Sequence, residues 1–123
     1  MFTLDTNAVI YYLAGDLATV PVIWHALEEE LPLYLSAISE AELFSFSKLT
    51  SADERLLDEI IKSLSVIPVD SQIARIAASL RRSNKIALPD SLIAATALFT
   101  GSTLLTRNTH DFRNVMGLVV RRV

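Results

Sequence analysis

Four carboxylates in this 123-residue chain stand where an enzyme would place them. Asp5 directly follows the short apolar run Phe2-Thr3-Leu4. Glu42 lies in the first turns of a predicted helix behind the run Leu33-Tyr34-Leu35. Asp90 follows Leu88-Pro89 at a predicted helix start, and Asp111 lies beyond Thr103-Leu104-Leu105. If these runs are strands of a parallel sheet, the acids converge at one edge, beyond the carboxyl ends where α/β proteins bind ligands. Crowded carboxylates repel one another and resist ionisation, and a divalent cation relieves that repulsion. Oxygen-only ligation suits Mg²⁺ or Mn²⁺ better than zinc, which prefers His and Cys. Phosphoryl transfer to water is the chemistry such a site commonly performs.

Each acid also has a purely local reading. Asp5 is a fit N-cap for a helix beginning near Thr6. Glu42 with Ser39 has the Ser-x-x-Glu spacing of a capping box. Asp90 suits the positive end of a helix dipole, and Asp111 is otherwise an ordinary loop acid. The pointer to a metal site is the placement of all four together.

The elements that must position them follow from the hydrophobic pattern. Strands are expected at Phe2-Thr3-Leu4, Leu33-Tyr34-Leu35, Val66-Ile67-Pro68-Val69, Thr103-Leu104-Leu105 and Leu118-Val119-Val120. The proline in the third marks it as an edge. Helical spacing appears after Asp5, from Pro21 to about Glu30, from about Ile38, behind Ser51, from Asp70 or Ser71, and from Leu88 to Gly101. Ser51 and Glu54 have capping-box spacing. Short strands alternating with helices predict a three-layer α/β/α fold with a mostly parallel sheet of four or five strands. Two consecutive helix pairs without an intervening strand are expected within it. Residues 1–123 read as one domain, with no repeat or linker.

Composition excludes several classes. There is no cysteine, hence no disulfide framework, Cys-ligated zinc or thiol nucleophile. That fits a reducing cytosol, so a cytoplasmic location is expected. No targeting or membrane segment is visible: Asp5 interrupts the first apolar run, and the longest apolar stretch, near Leu92 to Phe99, is far below the ~20 residues of a spanning helix. The three glycines form no phosphate-binding loop. Net charge is −3, unevenly spread: residues 1–64 hold eleven acids and three bases, residues 65–123 three acids and eight bases. The basic half hints at an anionic partner.

Three segments carry a more specific signal. They are Leu4-Asp5-Thr6-Asn7, then Ser39-Glu40-Ala41-Glu42-Leu43, then Leu88-Pro89-Asp90-Ser91-Leu92-Ile93-Ala94-Ala95-Thr96-Ala97 followed by Leu104-Leu105-Thr106-Arg107-Asn108-Thr109-His110-Asp111-Phe112. In order and spacing the chain resembles the PIN-domain family, specifically its VapC-type toxin ribonucleases, over essentially its whole length. The resemblance implies an α/β/α fold and a Mg²⁺- or Mn²⁺-dependent RNA endonuclease. It maps the family's acids onto Asp5, Glu42, Asp90 and Asp111 as catalytic and metal-binding residues. Glu40 competes with Glu42, which is preferred because Leu43 follows it. Thr106 and Asn108 match the polar pair that arranges the fourth acid, and Thr6 and Asn7 are supporting groups. Phe44-Ser45-Phe46-Ser47 stands where the family often has a glycine. An antitoxin protein and a homodimer are the implied partners, with RNA as substrate.

Arg107 and Arg113 flank the fourth-strand loop and are the first candidates for RNA phosphate contacts, with Arg81, Arg82 and Lys85 behind them. Arg81 and Arg82 also read as a solvated helix face. Two other readings compete. A PIN fold could serve as a non-catalytic RNA- or protein-binding module. A haloacid-dehalogenase-like phosphatase would need an acid two residues after Asp5, where Asn7 stands.

Overall fold

The computed structural model describes residues 1–123. Its centre is β1 (Phe2–Leu4), paired in parallel with β2 (Leu33–Ser36) on one side and β4 (Thr103–Thr106) on the other. Beyond them lie β3 (Ser65–Ile67) and β5 (Val120–Arg122), also parallel, giving the order β3-β2-β1-β4-β5. The helices are α1 (Thr6–Leu13), α2 (Thr19–Glu28), α3 (Ala37–Leu43), α4 (Ser51–Lys62), α5 (Ser71–Ser83), α6 (Leu88–Thr100) and the short α7 (Thr109–Phe112). Three crossovers, rather than the expected two, are made by helix pairs.

Alternation along the strands builds the two cores. Leu104 and Leu105 are both fully buried but point to opposite faces, as neighbours in a strand must. Leu105 joins Leu4, Val9, Ile23, Leu35 and Leu43 on one face. Leu104 joins Ile93, Ala94 and Phe112 on the other. Between them these cores make the three expected layers.

The apolar stretch seen in the sequence is α6, buried continuously from Ser91 to Ala97. Its alanines let the helix pack closely against α5, and its polar members are satisfied locally. Ser91 Oγ donates to the Leu88 carbonyl (2.6 Å), and Thr96 Oγ1 to that of Leu92 (2.9 Å). Gly101 ends the helix in the left-handed conformation (φ 65°), which a residue without Cβ adopts freely. No helix is long and apolar enough to cross a membrane.

Several local expectations shift. The cap of α4 is Thr50, not Ser51, with Thr50 and Asp53 bonded reciprocally. The cap of α3 is Ser36. Ser39 lies inside that helix with a buried, unpartnered hydroxyl, so Ser39 and Glu42 form no capping box. Strand β5 begins at Val120 because Leu104 pairs with it, two residues later than the apolar run.

Candidate active site

The chain leaves β1 towards β2 and returns on the other side of β1 to make β4, so the topology reverses between β1 and β4. In such sheets the crevice at the carboxyl ends of those two strands is the natural binding position. Asp5 ends β1 and Thr106 ends β4. A cleft of about 570 Å³ opens there, lined by Asp5, Thr6, Asn7, Glu42, Phe46 and Asp90 among others. Glu42 lines it and Glu40 does not, which supports Glu42 at the second position. Asp111, on α7 rather than in a loop, lies along an adjoining groove that also contains Asp90.

Three of the four acids are held by hydrogen bonds. Asp5 is only 8% exposed; it caps α1 by accepting from the Ala8 amide (2.7 Å) and accepts from the Thr106 hydroxyl. Its local role as a cap and its place in the cleft therefore coexist. Glu42 accepts from Thr6 Oγ1 (2.7 Å). Asp111 accepts from Asn108 Nδ2 (2.6 Å), and the Asn108 amide donates to Thr106 Oγ1 (2.9 Å). Thr106 thus links the first acid to the loop that carries the fourth. Asn7 is exposed on the cleft wall.

The electrostatics are those of a crowded anionic site. Burial pushes the Asp5 carboxyl up, against the pull of its Thr106 and Ala8 bonds, and Glu42 adds to the rise. Asp90 is raised first by burial, then by the charges of Asp111, Asp5 and Glu42. Asp5 and Asp90 thus feel the charges of their neighbours, yet no three acids approach closely enough to grip one ion unaided. This oxygen-only set fits a cation that is held by one or two carboxylates and retains several waters.

Arg107 departs from expectation. Its guanidinium is committed to the protein: Nη2 bonds Asp16, Nε donates to the Val123 carbonyl (2.9 Å), and the group stacks 4.0 Å from the Tyr11 ring centre. It ties the loop after β4 to the α1–α2 turn and takes no part in the cleft. Arg81 likewise donates to the Ile86 carbonyl (3.3 Å), fixing the turn between α5 and α6. Sequence gave no hint of the Asp16–Arg107 pair, whose members lie 91 residues apart.

Asp16 is held at about 2 by Arg107 and by Thr19, below its ordinary value of 3.8. The folded state therefore binds fewer protons there than the unfolded chain. The stability this confers is full above the unfolded value and is lost as pH falls towards 2. Urea midpoints should fall across that interval, and Asp16→Asn should be less stable near neutrality with this share of the acid sensitivity removed.

Thr106→Val tests the link between strand end and loop. The hydroxyl is fully buried, so its loss strands the Asn108 amide and removes a donor from Asp5. The expected cost is about 1–3 kcal/mol by denaturant titration. Metal affinity should fall roughly 10- to 100-fold, the usual effect of losing a group that orients a ligand.

Comparison with known proteins bears on the fold and the family. The sequence model of the PIN domain matches residues 2–118. The chain belongs to the PIN-domain family. A Mycobacterium tuberculosis relative named ribonuclease VapC10 is 34% identical over 117 residues, covering 91% of this chain and 86% of the relative. Among solved structures, a toxin–antitoxin complex from Klebsiella pneumoniae contains a chain 30% identical with a TM-score of 0.78, covering 97% of this chain and 96% of that one. VapBC2 from Rickettsia felis, bound to a promoter DNA fragment, has the same fold at 23% identity and a TM-score of 0.87, covering 99% of this chain and 98% of that one. The VapC-type PIN assignment thus rests on sequence and fold together.

Proposed function

We propose that this VapC-type PIN protein is a divalent-metal-dependent endoribonuclease, the toxin of a toxin–antitoxin pair. The observation that carries the reading is the gathering of Asp5, Glu42, Asp90 and Asp111 about the topological switch point of a PIN fold. Asp5, Asp90 and Asp111 would hold one or two Mg²⁺ or Mn²⁺ ions, with Glu42 as a further ligand or acting through water. When bound, the metal supplies an activated water and neutralises charge on the phosphate.

The chain's own residues set the geometry. Thr106 and the Ala8 amide hold Asp5 in one orientation. Asn108 aims Asp111, and Thr6 aims Glu42. Attack by water leaves a 5′-phosphate and a 3′-hydroxyl, and the RNA 2′-hydroxyl takes no part. Lys85 and Arg113, rather than the committed Arg107 and Arg81, are the RNA phosphate contacts in this reading.

The antitoxin would cover the cleft. An apolar groove lined by Ile10, Leu13, Leu43, Leu56 and Leu57 adjoins the cleft at Phe46, which lines both. Exposed apolar surface of this kind suits a protein partner. A homodimer and a cytoplasmic location belong to the same proposal, as does the action of residues 1–123 as one domain.

The test is cleavage of a mixed-sequence RNA pool by purified protein. Activity is expected with Mg²⁺ or Mn²⁺, abolished by EDTA and restored by excess metal. Cleavage that persists unchanged in EDTA would overturn the metal-dependent reading. Metal and RNA binding without any cleavage would instead favour the non-catalytic binding module.

A further inference from the structure

Asp111 is exposed, its carboxylate accepts from Asn108 Nδ2 (2.6 Å), and its charge and that of Asp90 repel each other. Such repulsion drives a carboxylate without a cation outward unless the backbone beneath it is stiff. That backbone is a link of two residues, Arg107 and Asn108, between β4 and α7. Arg107 is fixed through both its side chain and its main chain. Its guanidinium meets Asp16 and the Tyr11 ring, and its Nε donates to the Val123 carbonyl (2.9 Å). Its own carbonyl accepts from Arg122 Nη1 (2.9 Å). Asp16 is anchored in turn, accepting from the Thr19 amide (2.9 Å) and the Thr19 hydroxyl (2.8 Å). With Asp16 held at about 2, the pair stays charged at ordinary pH. The other ion pair, Lys62–Glu59, joins residues three apart on α4, so Asp16–Arg107 is the one that spans the fold.

We propose that Arg107 is a positioning residue of the acid site: it locks the β4–α7 link against α1, the α1–α2 turn and β5, and thereby fixes Asn108 where it holds Asp111 near Asp90. The proposal rests on the reading of these acids as one metal site, and it adds a residue that touches neither metal nor RNA. Its route runs through Asn108. The Asn108 amide donates to Thr106 Oγ1 (2.9 Å) and the Asn108 side chain donates to Asp111. Asn108 therefore bonds both to the strand end and to the acid, and Arg107 sets the backbone between them. The fork of the guanidinium matters, because one group serves Asp16 and the Val123 carbonyl together. A lysine ammonium is a single point charge and lacks that fork. Sites that must hold reacting groups to within a fraction of an ångström depend on such supporting contacts, above all where an acid stands beside a loop.

The experiment measures Mn²⁺ affinity by electron paramagnetic resonance for the native protein, Arg107→Ala, Asn108→Ala and the double variant, with melts showing that each is folded. Each single variant should bind about tenfold more weakly, as when a group that orients a ligand is lost. The double variant should be no weaker than Asn108→Ala, because two residues acting through one route do not add. Ile60→Val, a core change on α4 outside the cleft, should lower the melting temperature and keep native Mn²⁺ affinity. That separates positioning from a general loss of stability. If Arg107→Ala does not fold, Arg107→Lys takes its place in the cycle, with a smaller loss and the same non-additivity. A loss of about a hundredfold in the double variant, the product of the single losses, would overturn the route through Asn108. An equal loss in Ile60→Val would reduce the effect to stability and overturn the proposal. Native Mn²⁺ affinity in both Arg107 variants, with Asp90→Asn still weak, would overturn it and leave the metal site standing. A native protein that binds no Mn²⁺ would overturn the metal-site reading, and the proposal with it.

Discussion

Asp90→Asn is expected to lose RNA cleavage by on the order of 10³-fold while leaving the protein at least as stable as before. The two effects have one cause. Asp90 sits where burial and the charges of Asp111, Asp5 and Glu42 all oppose its ionisation. Its folded pKa is raised, so the native state binds more protons than the unfolded chain between the ordinary and the raised value. Its ionised form therefore costs stability, and that cost appears as pH rises through the folded pKa and persists above it. Asparagine keeps the shape and removes the charge and, with it, the ligand proposed for the metal. Thermal melts at neutral pH should show an equal or higher midpoint, with the difference closing as pH falls below both pKa values. Asp5→Asn should behave alike in activity, since asparagine also caps helices well. Glu40→Gln, outside the cleft, should keep full activity. Unchanged turnover in Asp90→Asn would remove Asp90 from the site.

The second large effect is Phe112→Ala, with an expected loss of about 3–5 kcal/mol by urea titration. Phe112 is 2% exposed and packs with Ile86, Ile93, Leu104 and Val115. A domain stable by about 5–15 kcal/mol would lose a large fraction of its margin. The ring also anchors α7, the short helix that carries Asp111. Activity should thus fall even at temperatures where the variant is folded, because the fourth acid loses its support. Phe112→Leu should recover most of the stability. A loss below about 1 kcal/mol in the alanine variant would show that α7 is not anchored by this core.

The elements legible in the sequence were those with a continuous apolar signal. Strands β1, β2 and β4 are buried central strands, and their runs mark them directly. Strand β3 is at an edge as expected, but it spans Ser65–Ile67, so Pro68 and Val69, expected within it, follow the strand and the proline is not what makes it an edge. Strand β5 was displaced because its own residues, Val120 to Arg122, are half-buried or exposed at an edge, while the apolar Leu118 and Val119 before it lie outside the strand. Its register depends on β4, which local pattern does not encode. The cap of α4 was ambiguous for another reason: Thr50 with Asp53 and Ser51 with Glu54 have the same spacing, and only the backbone conformation at Thr50 chooses between them.

The site divides in the same way. Strand order suggested the places of Asp5, Glu42 and Asp90, and the structure sets all three along one cleft; Thr106 and Asn108 came from the family resemblance, and the structure bonds them to each other and Asn108 to Asp111. Arg107 was misread as a phosphate contact. In sequence it is a free cation beside the fourth-strand loop, and only the tertiary fold brings Asp16, Tyr11 and the Val123 carbonyl to it. A charge's partner across the chain is a property of packing, whereas a charge's position after a strand is a property of order.

The central claim is that these acids form one metal site. Mn²⁺ binding followed by electron paramagnetic resonance tests it without any knowledge of the RNA target. The native protein should bind the ion, and Asp90→Asn should bind it at least tenfold more weakly while its melt shows an intact fold. Native binding that is unchanged in Asp90→Asn would contradict the account.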